Sequence, residues 1–206
     1  MKSTLQPAGI GVLILAFSIL LVACNQPVEK ASADDALMSA APVNDTQSLV
    51  KRGEYLVNVG VCNDCHSPKI FTEMGPEPDG VRLLSGNPND MLFKDFDSTM
   101  VMAGRVLLNE HFTAFAGPWG VSYAANLTPD ATGIGNWSEE HFFRAMREGK
   151  YKGLPNGRDL LPPMPWHYFA KMTDEDLSAI FAYLKSLPPV QNVVPAPRTF
   201  TAQAAG

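Results

Sequence analysis

A mainly α-helical domain is what the sequence predicts, on three observations. The segments 45–60, 138–149 and 173–188 repeat apolar side chains every three or four residues, between signals that begin and end a helix. Between the first and second of these lies a long stretch, residues 67–137, that holds much of the Gly and Pro and shows no such period. About 160 residues follow the N-terminal segments, a length that suits one domain with a single core.

The chain opens with a segment expected to be processed rather than folded. Lys2 is the only charge among residues 1–23, and an apolar run over residues 8–23 ends in "LVAC", residues 21–24. The run is shorter than the ~20 apolar residues usual for a membrane-spanning helix, so a signal peptide is expected. Ala23 directly before a cysteine resembles the lipobox of bacterial lipoproteins. That resemblance implies cleavage before Cys24 and a lipid on its thiol, which would anchor the chain to a membrane. An uncleaved anchor helix, or an ordinary signal that leaves a free cysteine, are the other readings of the same residues. Residues 24–44 are rich in Ala, Ser, Asp and Pro and read as a flexible tether.

Without residues 1–23 the chain keeps 15 basic against 21 acidic side chains. A moderately acidic protein is not built to coat nucleic acid. With 46% apolar and 18% charged residues the composition is globular.

The domain, residues 45–190, begins with a helix capped by Asn44 or Asp45. Leu49, Gly53, Leu56 and Gly60 share one face, and two glycines there cost roughly 1 kcal/mol each against Ala. Such a cost makes sense where another helix approaches closely. The expected partner is "TDEDLSAIFAYLKSL", with Thr173 and Asp176 as a capping box, an apolar stripe of Leu177, Ile180, Phe181, Leu184 and Leu187, and Pro188 and Pro189 as the stop. A further helix over residues 138–148 should turn Phe142, Ala145 and Met146 inward and end at Gly149. The stretch 67–137 is expected to carry its own hairpin or short helices, with strands or turns at residues 81–84 and 100–108. Residues 191–206 form a C-terminal tail.

Chemistry concentrates in "CNDCH", residues 62–66. Cysteines three apart lie on one side of a helical turn, so two sulfurs can reach the two vinyl groups of one porphyrin, and His66 then faces the iron. The pattern reads as a c-type haem attachment site, with Cys62 and Cys65 in thioether bonds and His66 as the proximal ligand. A structural zinc would want four Cys or His ligands, and His111, His141 and His167 have neither paired nor regular spacing. A thioredoxin-like dithiol needs a strand and helix context that the helical frame does not offer.

A second axial ligand is sought among the methionines. Met164 stands in "LPPMPW", where flanking prolines fix a loop that can present sulfur to iron with little entropy to lose. Met146 and Met172, in or beside helices, read as core filling. Trp137, Trp166, Tyr123 and Asn126 either line the haem or serve the core and its turns. His111, His141 and His167 are the other residues able to take the sixth position.

This order of parts resembles the class I cytochrome c domain across residues 46–188. More closely, "NLTPDATGIGNWSEEHFFRAMREG" and "LLPPMPWHYFAKMTDEDLSAIFAYLKSLPPV" resemble the cytochrome c domains of bacterial membrane dehydrogenase cytochrome subunits. The resemblance implies Cys62 and Cys65 as covalent haem sites, His66 and Met164 as axial ligands, and a crossing of the first and last helices at Gly53. Those subunits often carry three CxxCH motifs, and here there is one.

The function expected is one-electron transfer by a monohaem, lipid-anchored cytochrome at the periplasmic face of a bacterial envelope, with no substrate chemistry of its own. Its partners would be a dehydrogenase or quinol-linked donor and an oxidase or cytochrome acceptor. One rival is an enzyme or gas sensor with an open iron site. Another is a dedicated subunit of a dehydrogenase complex, docking through residues 67–137.

Overall fold

The computed structural model describes residues 46–200. The expected signal peptide, Cys24, the tether and the capping Asn44 or Asp45 lie outside the described residues, as do residues 201–206.

Two helices cross at close range. α1 (Thr46–Val59) packs on the last helix, which is α6 once the four between them are counted (Asp174–Ser186). A Cβ on Gly53 would lie 1.9 Å from the Ala179 carbonyl oxygen, so nothing larger than hydrogen fits at the crossing. Gly60 does not share this role. Its Cβ would meet the Leu56 carbonyl of its own helix at 2.9 Å and Cys62 Sγ at 3.5 Å, which places it in the turn out of α1.

The caps differ in part from expectation. Thr173 Oγ1 accepts the Asp176 amide at 3.2 Å, but the Asp176 carboxylate does not complete a capping box. It accepts two hydrogen bonds from Arg52 of α1, at 2.8 and 3.1 Å, because the crossing brings a guanidinium within reach. The complete box is on α4 (Glu139–Glu148), where Ser138 caps the helix and His141 Nδ1 returns to the Ser138 amide. Gly149 ends α4 at φ 66°, in the left-handed region that glycine enters without cost.

The main core joins α1, α4 and α6. Leu56, Val57, Phe142, Leu177, Ala179, Ile180 and Leu184 are buried there, with Phe142 stacked on Phe181 at 5.4 Å between ring centroids. Leu84 and Ile134, from the stretch between the haem motif and α4, are also in this core. That stretch is therefore built into the domain.

Its own structure is mixed. The motif forms α2 (Cys62–His66), followed by the antiparallel pair β1 (Lys69–Thr72) and β2 (Gly75–Pro78). Residues 81–84 form turns rather than a strand. A short helix, α3 (Ser98–Met102), is capped by Asp97 and precedes a three-stranded sheet in the order β3 (Leu107–Leu108), β4 (Ala114–Gly117), β5 (Gly120–Tyr123). Val101, Ala116 and Val121 form a second buried cluster beside this sheet, with Phe93, Phe96 and Phe200 packed on it.

The C-terminal segment ties these parts together. Arg198 exchanges backbone hydrogen bonds with Val121 at 2.7 and 3.0 Å. Asn192 is buried, donates to the Ser85 and Asn87 carbonyls and accepts the Asn89 amide. The two remaining elements are a one-turn 3₁₀ segment (Tyr151–Gly153) and α5 (Trp166–Phe169), which flank the Met164 loop between α4 and α6.

Candidate haem site

The motif's helix starts abruptly. Val61, at φ 57°, turns the chain between α1 and α2 in the left-handed region that a β-branched residue enters only under strain. α2 is five residues long and ends in the extended Ser67, so its two cysteines fall on one turn.

Both thiols are free and half-buried. Burial pushes Cys62 up to about 11 and raises Cys65 as well, which keeps both protonated at neutral pH. Reactive dithiols rely on the opposite shift, toward the thiolate. Among the described residues no three His, Cys, Asp or Glu side chains converge as one metal ion would require.

His66 is the most constrained member. It is buried, and its Nδ1 lies 2.8 Å from the Ala125 carbonyl oxygen. A carbonyl only accepts, so Nδ1 carries the proton and Nε2 keeps its lone pair for a metal. Burial holds His66 below the usual imidazole range, against the Ala125 hydrogen bond, which pulls the other way. A ligating histidine is commonly oriented by such a bond from its other nitrogen.

The segment that holds His66 also holds the Met164 loop. Ser122 Oγ donates to the Pro162 carbonyl at 2.6 Å and accepts from Trp119 Nε1 at 3.2 Å. Ser122 and Ala125 are three residues apart, at most about 10 Å of extended chain. Met164 is half-buried, its amide bonded to the Leu161 carbonyl. Among the described residues no hydrogen bond joins Met164 itself to His66.

The other candidates have structural occupations. His111 is buried and its Nδ1 accepts the Lys69 amide at 3.0 Å, while His141 caps α4 and exposed His167 packs against Trp166 and Tyr168. Asn126 spends its amide on Val190, Thr132 and Thr128. Trp137, Met146 and Met172 pack on the main core, and Trp166 lies over Gly149. Tyr123 belongs to the second cluster, where its hydroxyl is buried without a partner.

Two residues at the site escaped the sequence. Ala125 acts only through its backbone, which no residue type announces. Lys69 is 3% exposed, a degree of burial that nothing local to a lysine in sequence reveals.

The donor set fits a c-type haem: two unpaired sulfurs on one turn, and next to them an imidazole with one nitrogen committed and one free. A helical frame around such a turn is that of a cytochrome c-like domain.

No protein-family model matches the chain. It is 35% identical over 150 residues, 71% of its length, to a gluconate 2-dehydrogenase cytochrome c subunit of Pantoea cypripedii. To the cytochrome c subunit of a quinone alcohol dehydrogenase of Gluconobacter oxydans it is 30% identical over 66% of its length, and to a fructose dehydrogenase cytochrome subunit of Gluconobacter japonicus 38% over 42%. Its homologues are thus cytochrome c subunits of bacterial dehydrogenases, in agreement with the resemblance carried by residues 46–188. The chain spans 25%, 21% and 17% of these relatives' own lengths.

Proposed function

We propose that the chain is a one-electron carrier holding a single c-type haem through Cys62 and Cys65, with His66 and Met164 as the axial ligands. The observation that carries this is His66: buried, following the second thiol directly, with Nδ1 committed to Ala125 and Nε2 free. Cytochrome c homologues imply a c-type haem, which supplies a one-electron iron couple when bound. The chain's own part is to fix the ligands and exclude water. The Ala125 carbonyl orients the His66 ring. The Ser122 bond to Pro162 holds the loop from which Met164 would approach. Neither group handles a substrate.

The relatives' names are those of dehydrogenase subunits, which favours a dehydrogenase as the electron donor and an oxidase or soluble cytochrome as the acceptor. A lipid on Cys24 and the tether of residues 24–44 would keep the carrier at the periplasmic face of a membrane, where partners are concentrated. Among the described residues no helix is long and apolar enough to cross a membrane.

Proteolysis of protein matured with the bacterial haem-attachment machinery tests the assignment. A peptide containing Cys62 and Cys65 that carries haem mass after acidic organic extraction is the expected product. Haem removed by that extraction, or found on another residue, would contradict it.

A further inference from the structure

Lys69 is a buried cation aimed at the haem motif. Its ammonium donates to the carbonyls of Asp64 at 2.6 Å, Ser67 at 2.7 Å and Asn63 at 3.4 Å. Three donors on an ammonium meet three acceptors, whereas a neutral amine would turn a lone pair toward one of those oxygens. The acceptors lie within and just after α2: the Asn63 carbonyl also accepts the Ser67 amide at 3.1 Å, and those of Asp64 and Ser67 lie beyond the reach of so short a helix's own amides.

The stretch between the motif and α4 holds this lysine in place. His111 Nδ1 accepts its backbone amide, and the Phe112 ring lies 5.9 Å from Nζ on a residue at φ 58°. Phe71 packs its ring edge to face with His111 at 5.7 Å. The ammonium's contacts are to carbonyl oxygens, and none of the ion pairs formed by the described residues involves it. A charge so placed is weakly screened by water and salt.

We propose that Lys69 is a positioning and electrostatic residue that raises the reduction potential of the haem attached at Cys62 and Cys65. A capping role alone would secure α2 and leave the potential where it was. A fixed positive charge beside the motif disfavours whichever state of the iron carries one more positive charge, so it favours the reduced state. The inference rests on the proposed haem attachment and goes beyond it by naming the residue that sets the carrier's driving force.

The test is a potentiometric titration of the haem-loaded protein, as wild type, Lys69→Met, Lys69→Arg and Phe112→Ala, with absorption spectra showing whether the axial ligands are retained. Lys69→Met is expected to shift the ratio of oxidised to reduced protein about tenfold at a fixed applied potential, a fall of about 59 mV for one electron. Lys69→Arg keeps the charge and should stay within twofold of wild type. Phe112→Ala admits water to the ammonium and should fall between the two. An unchanged potential in Lys69→Met with an intact spectrum overturns the proposal and leaves Lys69 as a cap. Should Lys69→Met not fold, Phe112→Ala decides alone, and an unchanged potential there overturns the proposal too. Wild-type protein without covalent haem would instead remove the proposed function, and the inference with it.

Discussion

Val61 is the residue on which α1 gives way to α2. A left-handed backbone costs a non-glycine residue roughly 1–2 kcal/mol, and the Val61 side chain is 60% exposed, so little packing offsets that cost. Val61→Gly is accordingly expected to stabilise the haem-loaded protein by about 1 kcal/mol, read from the midpoint of denaturant unfolding; a clear destabilisation would show that the exposed side chain contributes more than the strain it brings. Gly60 was expected on the face that another helix approaches, whereas the structure places it in the turn out of α1 and gives the left-handed step to Val61. Legibility at this scale follows the kind of group involved. Cys62, Cys65 and His66 could be picked out because their chemistry resides in side chains at a fixed spacing. Ala125 could not, because a carbonyl belongs to every residue and only the fold selects which one meets His66. Lys69 was hidden for a related reason: its acceptors are backbone oxygens, and its burial depends on His111 and Phe112, more than forty positions away.

Among the elements, helices with strong end signals were the most legible. Residues 138–149 and 173–188 became α4 and α6 almost to the residue, since Ser138, Gly149 and Thr173 act on their own backbone neighbours. The half-formed box at Thr173 shows the limit of such local reading: Asp176 had a better partner in Arg52, brought in by the crossing. Exposed ion pairs of this kind contribute little, commonly under about 1 kcal/mol. The crossing itself is sustained by Gly53. Gly53→Ala forces a methyl group into the Ala179 carbonyl and is expected to cost at least about 2 kcal/mol in denaturant unfolding, despite Ala's better helix propensity. Stability equal to wild type would mean that α1 and α6 can separate without loss. Of the strands of residues 67–137 only β3, which lies within the expected residues 100–108, was legible in position. They are two to four residues long, too short for a two-residue period to register, and their pairing is set by turns and by the C-terminal segment.

On the scale of the whole molecule, the C-terminal segment and the stretch 67–137 form one hydrogen-bonded unit behind the site. Asn192 connects residues 85, 87 and 89, and Asn126 connects Val190 to Thr128 and Thr132 immediately after Ala125. The residue that orients His66 is thus held in place by the far end of the chain. Asn192→Ala strands buried backbone groups and should cost about 1–3 kcal/mol in global unfolding; a loss of less than a few tenths would show that these groups find water instead. Sequence could not reveal this unit, because asparagine is as common in exposed turns as in buried networks and each partner is distant along the chain.

Closure of the iron by His66 and Met164 is the central claim, since it separates an electron carrier from a protein with an open iron site. The absorption spectrum of the oxidised, haem-loaded protein, recorded for wild type and Met164→Ala, tests it directly. A weak red band from sulfur bound to ferric iron, present in wild type and lost in the variant, is the predicted result. A wild-type protein that lacks the band and binds carbon monoxide or peroxide readily would contradict the account.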